Sequence, residues 1–171
     1  MAGIIEAAND ASVAGGTDKE GSSTDGGGIS DTLSEQERQE KVVLITGGGG
    51  FIGSHVADFL LNRGDKVVIV DEMNDYYDVR LKNANLEYLY STHADMCVVY
   101  QGDICDEKFM TKLWEREAPT HVCHLAARAG VRPSIIDPYI YVHSNVEGKH
   151  SSTLCFVASK FRASEVIVGA T

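Results

Sequence analysis

A run of glycines directly after an apolar segment constrains this chain more than any other feature. The segment 42–45 is short, apolar and rich in β-branched residues, which is typical of a buried strand. Four glycines follow, and residues 51–62 then place apolar side chains at helical spacing. The loop fits G-x-x-G-x-x-G through Gly47, Gly50 and Gly53, and it also fits G-x-G-x-x-G. A strand, a glycine loop and a helix in this order predict a diphosphate site, because the free N–H groups of a helix N-terminus attract phosphate.

An acidic residue at the end of the next predicted strand completes this pattern. Residues 66–70 are apolar, and Asp71 follows them, eighteen positions after Gly53. A carboxylate at this place can accept hydrogen bonds from the ribose hydroxyls of adenosine, and it would repel a 2′-phosphate. The sequence therefore favours NAD over NADP. Two alternatives stay open at this point: a glycine-rich turn that holds no nucleotide, and a site for another adenosine ligand such as S-adenosylmethionine.

Strands that alternate with helices predict the fold class. Further strands are expected at 96–100, 121–125 and 165–168, and further helices at 79–90, 106–117, 134–148 and 151–161. We expect Leu81, Leu86 and Leu89 to share the buried face of one helix, and Asp106 to cap the next. Strands that are apolar throughout are typical of a parallel sheet covered on both faces. We predict an α/β, doubly wound parallel sheet of the Rossmann type, with strand order 3-2-1-4-5 and an incomplete C-terminal end.

Charge divides the chain into two parts. The formal net charge is −10, and residues 1–40 alone carry nine acidic and two basic side chains. Such a segment cannot bury enough apolar surface to order itself, so we expect a disordered acidic tail at 1–40 and an NAD(P)-binding domain at 41–171. The negative charge argues against a nucleic-acid partner. Without a long apolar run or a secretory leader, we expect no membrane partner and a cytoplasmic location.

The cysteines give no metal-binding pattern. Cys97, Cys105, Cys123 and Cys155 form no C-x-x-C pair, and we expect four reduced and mostly buried thiols. The nearest cluster of metal-binding residue types is His121, Cys123 and His124. On a strand, His121 and Cys123 would share one face and His124 the other. We therefore predict no metal site.

With these pieces in place, the chain resembles the extended short-chain dehydrogenase/reductase superfamily of nucleotide-sugar epimerases and dehydratases. The resemblance covers roughly 41–171, and its markers are Thr46–Gly53, Gly102–Ile104 and His124–Ala127. Two further stretches, Asn74–Lys82 and Leu125–Ser134, look most like UDP-glucuronate 4-epimerases. UDP-glucose 4-epimerases and 4,6-dehydratases share much of this half, so they stay as alternatives.

The resemblance implies an NAD site and a role for each matching residue. The residues that would line the pyrophosphate are Gly47, Gly50, Phe51, Ile52 and Gly53. Asp71 would hold the adenosine ribose, with Asn74 nearby, and Asp103 and Ile104 would flank the adenine. The residues towards the nicotinamide ribose would be Ala126, Ala127 and Arg128, with Asn145 bracing the site. Arg132 is a candidate for a uronate carboxylate of the substrate, although a surface or helix-capping arginine is the more ordinary interpretation.

The same resemblance implies a reaction that this chain cannot complete alone. Transient oxidation at sugar C4 by bound NAD requires a tyrosine base with a lysine four residues on, and a serine or threonine. None of the seven tyrosines has a lysine at that spacing. We therefore expect the NAD-binding half of a UDP-sugar 4-epimerase, inactive by itself and with no catalytic residue of its own. A second copy of the chain is a candidate partner, in a homodimer or by self-association. The alternative function is a non-catalytic NAD-binding or regulatory module.

Overall fold

The computed structural model describes residues 41–148 and 165–168. The predicted acidic tail at 1–40, the predicted helix at 151–161 and Cys155 lie outside the described residues. All described residues belong to one unit of the chain, Glu40–Thr171.

Strands and helices alternate along the described chain as the sequence predicts. The strands are β1 (Val42–Thr46), β2 (Lys66–Asp71), β3 (Cys97–Gln101), β4 (His121–His124) and β5 (Glu165–Val168). The helices are α1 (Phe51–Arg63), α2 (Val79–Thr92), α3 (Glu107–Glu117), α4 (Val131–Ile136) and α5 (Pro138–Val142). A π-helical segment, His143–Glu147, continues directly from α5.

The five strands form one sheet in the order β3-β2-β1-β4-β5, and every neighbouring pair is parallel. This confirms the predicted order. The central strand β1 pairs with β2 through Ile45 and Ile69, and with β4 through Ile45 and Cys123. The order reverses at β1, because the chain moves outwards through β2 and β3 and then returns to the other side. In sheets of this kind, ligands bind beyond the carboxyl ends of the strands at that reversal.

Each face of the sheet packs against its own helices. The β1 residue Leu44 points to the face covered by α3, where Trp114 lies, and both side chains are buried. The neighbouring Ile45 points to the opposite face, where α1 contributes Ala57 and α2 contributes Leu89. Because helices cover both faces of the sheet, the side chains of β1 and β2 are apolar on both faces, and polar residues do not alternate with apolar ones along these strands.

Two expectations about helices need correction. Leu81 is 60% exposed, while Lys82 is 4% exposed and lies on the buried face with Leu86 and Leu89. Positions 82, 86 and 89 follow the spacing of one helical face, which position 81 does not share. The predicted single helix at 134–148 instead begins at Val131 and breaks at Asp137. The break has a local cause, because a residue that precedes a proline disfavours the helical conformation.

Helix ends follow from local sequence, and the predicted cap at Asp106 is confirmed. Gly64 ends α1 in the left-handed conformation, at φ 94°. The carboxylate of Asp106 accepts hydrogen bonds from the backbone N–H groups of Lys108 and Phe109, and so caps α3. Among the described residues, no helix is both long and apolar enough to cross a membrane.

Candidate functional site

A cavity of about 300 Å³ lies at the carboxyl ends of the strands. The glycine loop forms its floor, and the segments that follow β2, β3 and β4 form its walls. All twelve residues predicted to hold the cofactor line it: Gly47, Gly50, Phe51, Ile52, Gly53, Asp71, Asn74, Asp103, Ile104, Ala126, Ala127 and Arg128. The structure therefore brings the whole predicted set together, from four separate parts of the sequence.

The glycine loop is held close to the end of β4. Gly47 has φ 74°, and its N–H donates a hydrogen bond to the carbonyl of Val70 at 2.7 Å. A Cβ at position 47 would lie 2.8 Å from the Cα of Ala126, so only glycine allows this approach. A Cβ at Gly53 would overlap the carbonyl oxygen of Gly47. These two glycines let the loop turn into α1 beside the strand ends.

The N-terminus of α1 points into the cavity without a side-chain cap. Gly50 occupies the capping position, and no side chain there accepts a hydrogen bond from the helix. The first N–H groups of a helix have no partner within the helix and carry a partial positive charge. Phe51 and Ile52, the first residues of α1, are exposed beside these groups. This end of the helix suits an anionic group such as a diphosphate.

Asp71 is buried, with 6% of its surface exposed. Its Oδ2 accepts a hydrogen bond from the N–H of Gly49 at 3.0 Å, and its Oδ1 accepts one from the N–H of Met73 at 2.9 Å. The Nζ of Lys82 also donates to Oδ1, at 3.2 Å. The carboxylate is thus fixed against the glycine loop, at the carboxyl end of β2.

Lys82 is one of the cavity residues that the sequence did not predict, together with neighbours such as Glu72 and Tyr77. Besides Asp71, its ammonium group donates to Oδ1 of Asn74 at 3.3 Å and lies 5.0 Å from the ring centre of Tyr77. Burial, followed by the charge of Asp71, raises the pKa of the Tyr77 phenol. The spacing of Lys82 from Leu86 could have identified it, because helical periodicity places both on the buried face. Lys82 weakens the expected repulsion between Asp71 and a 2′-phosphate, because its positive charge partly neutralises the carboxylate.

The wall that follows β4 is held by hydrogen bonds around Arg128. Asn145 accepts from the N–H of Arg128 and donates to its carbonyl, both at 2.8 Å. The guanidinium donates to Oγ of Ser144 at 3.1 Å and lies 3.3 Å from a carboxylate oxygen of Glu72. Asn145 was predicted to brace the site, and the structure places it on the backbone of a cavity residue.

Next to the cavity, its lining residue Asp103 contacts Cys105 and His143, which do not line it. The Nε2 of His143 lies 3.0 Å from Oδ2 of Asp103, and its Nδ1 lies 2.7 Å from Oε2 of Glu147. These two carboxylates raise the pKa of His143. Burial alone would raise the pKa of Asp103, but hydrogen bonds from Cys105 and His143 hold it below its usual value. Burial, together with Asp103 and other acidic neighbours, raises the pKa of the Cys105 thiol to about 12.

Other residues singled out from the sequence lie elsewhere. Arg132 is exposed on α4 and does not line the cavity. His124 is buried, with its Nδ1 2.6 Å from Oγ1 of Thr46, and His121 lies 2.8 Å from the hydroxyl of Thr120. Cys97 is buried, whereas Cys105 and Cys123 are only partly buried.

Known proteins match this chain over the same region. The family model described as GDP-mannose 4,6 dehydratase matches residues 44–154, which is more than half of the chain. UDP-glucuronate 4-epimerase 1 of Arabidopsis thaliana is 49% identical over 106 residues, covering 62% of this chain and 24% of that protein. The UDP-glucuronate 4-epimerase of Thermodesulfobacterium geofontis is 44% identical over 105 residues, covering 61% of this chain and 32% of that protein. The chain thus spans about a quarter to a third of these relatives.

Solved structures match the fold as well. A UDP-glucose 4-epimerase from Bifidobacterium longum in complex with NAD⁺ and UDP has a TM-score of 0.66 and 28% identity, covering 77% of this chain and 37% of that one. One from Stenotrophomonas maltophila with bound NAD and formylated UDP-arabinopyranose has a TM-score of 0.66 and 30% identity, with the same coverage. The glycine loop, the parallel sheet and these matches lead to one conclusion. The chain belongs to the GDP-mannose 4,6 dehydratase family, within the extended short-chain dehydrogenase/reductase superfamily.

Proposed function

We propose that this chain is the NAD-binding portion of a nucleotide-sugar 4-epimerase that acts on UDP-glucuronate. The observation that carries the proposal is the cavity itself, in which the glycine loop, Asp71 and the ends of β3 and β4 converge. The identity to UDP-glucuronate 4-epimerases over the same residues supports this choice of sugar. Other nucleotide-sugar epimerases and dehydratases are the nearest alternatives.

The residues present suit a dinucleotide. The uncapped N-terminus of α1 would receive the pyrophosphate, and the closely packed glycines leave room for it because they lack side chains. Asp71 would accept from the adenosine ribose, while Asp103 and Ile104 would lie beside the adenine. Ala126 and Ala127 would allow the cofactor to pass close to the end of β4. When bound, NAD supplies reversible acceptance of a hydride from the sugar.

The chain's own residues bind and orient but do not transfer a proton. Arg128 is fixed by Asn145 and Ser144 at the edge of the cavity, where it would contact the nicotinamide ribose or the substrate. Arg132 on the neighbouring helix stays a candidate for a uronate carboxylate. The general base would have to be a tyrosine with a nearby cation, because an ordinary phenol has a pKa of about 10. No tyrosine here has a lysine four residues later.

Lys82 sharpens the expected choice between NAD and NADP. Asp71 would repel a 2′-phosphate, but the buried Lys82 balances its charge and lies 3.2 Å away. We therefore expect NAD to bind more tightly than NADP, by a smaller margin than an unpaired carboxylate would produce. Replacing Lys82 by methionine should widen the preference, because Asp71 would then face the phosphate uncompensated.

Calorimetric titration of the full chain with NAD tests the proposal. The informative variant is Gly50→Val, because position 50 has φ −73°, which any residue adopts. Its side chain would enter the space in front of the Tyr77 hydroxyl, 2.8 Å from the new Cβ. We expect at least a tenfold loss of NAD affinity. The matched control is Ala94→Val, which adds an exposed side chain in the loop before β3 and should leave affinity unchanged.

Saturable binding of NAD that Gly50→Val leaves intact would contradict the assigned cavity. Tighter binding of S-adenosylmethionine than of NAD would assign the fold to a different chemistry. If NAD binds as expected but UDP-glucuronate is not turned over, the result supports the proposal that this chain binds NAD and is inactive by itself. Steady turnover by this chain alone would contradict the inactive state that we propose, and would require another base.

Self-association is also part of the proposal. Ile135, Ile136 and Tyr139 are each more than three quarters exposed on α4 and α5. Exposed apolar side chains of this number favour contact with another protein surface. Light scattering after size exclusion should show a mass above 18.5 kDa, and a monomer at all concentrations would refute this part alone.

A further inference from the structure

Three metal-binding residue types cluster next to the cavity, around Asp103, which is the residue expected beside the adenine. Asp103 and Cys105 lie in the loop between β3 and α3, and His143 opens the π-helical segment. One ligand atom from each residue, a carboxylate oxygen, the thiol sulfur and a ring nitrogen, lies within 4.8 Å of the other two. Residues forty positions apart in sequence are thus brought to a common point.

Hydrogen bonds hold the side chains around this point, and the Cys105 thiol donates to the carbonyl of His143 at 3.4 Å. Oδ1 of Asp103 accepts from the N–H of Cys105 at 2.8 Å, which leaves Oδ2 directed at His143. The Nδ1 of His143 lies 2.7 Å from Oε2 of Glu147, so Nε2 faces the cluster. A histidine that ligates a metal almost always donates its other ring N–H to a carboxylate or carbonyl. Glu147 occupies that outer position here.

The chemistry of the set selects the class of cation. A thiolate and an imidazole suit zinc and cobalt, whereas magnesium and calcium prefer oxygen ligands alone. Glu72 and Glu147 add negative charge that acts on the Cys105 sulfur. These charges attract a cation, and binding would release the thiol proton to solvent as the sulfur becomes a ligand.

We propose that Asp103, Cys105 and His143 form a site for a divalent zinc-like cation, with Glu147 as the residue that positions His143. Three protein ligands leave a fourth position of a tetrahedral site for water. The sequence shows no metal-binding spacing at these residues, so this site exists only through the tertiary contact between the π-helical segment and the loop after β3.

Cobalt is the probe that reports the ligands directly. We expect Co²⁺ added to the reduced full chain to give a thiolate-to-cobalt charge-transfer band and the visible bands of a four-coordinate ion, with one cobalt per chain. Cys105→Ser should remove the charge-transfer band. Cys123→Ser is the matched control, because this partly buried thiol packs on the opposite face of the sheet from Cys105. The band should persist in that control.

Zinc affinity, measured by competition with a chelator, tests the other residues. Glu147→Gln should weaken zinc by about 10–100-fold, the usual effect of losing a residue that positions a ligand. His143→Ala should weaken it more, because a ligand itself is lost. A charge-transfer band that is absent from the parent chain, or that disappears in Cys123→Ser instead, would overturn the proposal. Unchanged zinc affinity in His143→Ala would overturn it too.

Competition with the dinucleotide links this site to the cavity, and this last step rests on the proposed function. Asp103 cannot serve the adenine and the cation fully at once, so saturating zinc should weaken NAD binding. The weakening should disappear in Cys105→Ser. The cobalt spectrum is recorded without NAD, so a chain that binds cobalt but not NAD keeps the metal site and loses only the proposed function.

Discussion

The first three helices and the two that follow β4 differ in how they meet the sheet. Helix α3 buries Met110, Leu113 and Trp114 against the strands. Helices α4 and α5 bury no residue among the described part of the chain, and Ile136 is 86% exposed. Stability therefore resides in β1–β4 with α1–α3, while the later segment is held to the cavity mainly through polar contacts such as those of Asn145.

This difference shows that binding and folding depend on different parts of the chain. The buried core positions the glycine loop and Asp71, which cannot move without disturbing the sheet. The segment 125–148 forms the other wall of the cavity with little buried apolar surface of its own. A segment with few buried apolar contacts opens at lower free energy than the core does.

The largest difference in stability loss is expected between the truncation of a core leucine and that of an exposed isoleucine. Leu44→Ala should lower the free energy of unfolding by about 2–5 kcal/mol, because it removes a fully buried side chain and leaves a cavity. Ile136→Ala should change the free energy of unfolding of the monomer by less than about 0.5 kcal/mol, since this residue is 86% exposed. Urea denaturation of both variants measures the comparison. Equal losses would mean that α4 is buried in the folded protein.

A polar pair within the stable part should matter less than a core leucine. The hydroxyl of Tyr100 donates to a carboxylate oxygen of Glu117 at 2.6 Å, and Lys66 donates to the other oxygen at 2.9 Å. Tyr100→Phe should cost about 1.5–3 kcal/mol at neutral pH, the usual range for a hydrogen bond to a charged group. Tyr88→Phe, which alters a residue that is 56% exposed and lies outside the proposed self-association surface, is the matched control and should cost nothing measurable.

The pH dependence of that loss has a definite sign. Burial alone would raise the pKa of Glu117, but its hydrogen bonds with Tyr100 and Lys66 hold it below the ordinary 4.5. A lowered pKa in the folded state stabilises the protein above the ordinary value, and this stabilisation disappears as pH falls through the folded value. The difference between the parent chain and Tyr100→Phe should therefore shrink in acid. A difference that grows below pH 4.5 would contradict the assignment.

The smallest difference in stability loss is expected between two helix N-caps. Asp106→Ala should destabilise the protein by about 0.5–2 kcal/mol, because Asp106 caps a helix that packs on the core. Asp137→Ala removes the equivalent cap of α5, a five-residue helix with no buried residue, and should cost less than Asp106→Ala. Thermal unfolding of the two variants compares them. A larger loss for Asp137→Ala would show that α5 contributes to the stability of the core.

Local rules predicted much of the fold because each rule acts within a few residues. Gly64 ends α1 through a backbone conformation that favours glycine, and Asp106 caps α3 through its own side chain. The mistakes arose where the relevant contact was distant or the local pattern was overlooked. Leu81 was placed on the buried face because leucine is apolar, yet the helical spacing gave that face to Lys82. A buried lysine becomes favourable only beside Asp71, which is eleven residues away.

The sequence by itself determined the parallel sheet, its strand order, the glycine loop and the acidic end of β2, because apolar runs, glycine spacing and strand-end residues are local patterns. Other predicted cavity residues, such as Asn74, Ile104 and Arg128, followed from the family resemblance. Only the tertiary structure decided which charges meet. The pairing of Asp71 with Lys82, and the convergence of Asp103 and Cys105 with His143, depend on how separate elements pack. Electrostatic contacts act over a few ångströms in space, and distance along a chain does not predict that separation.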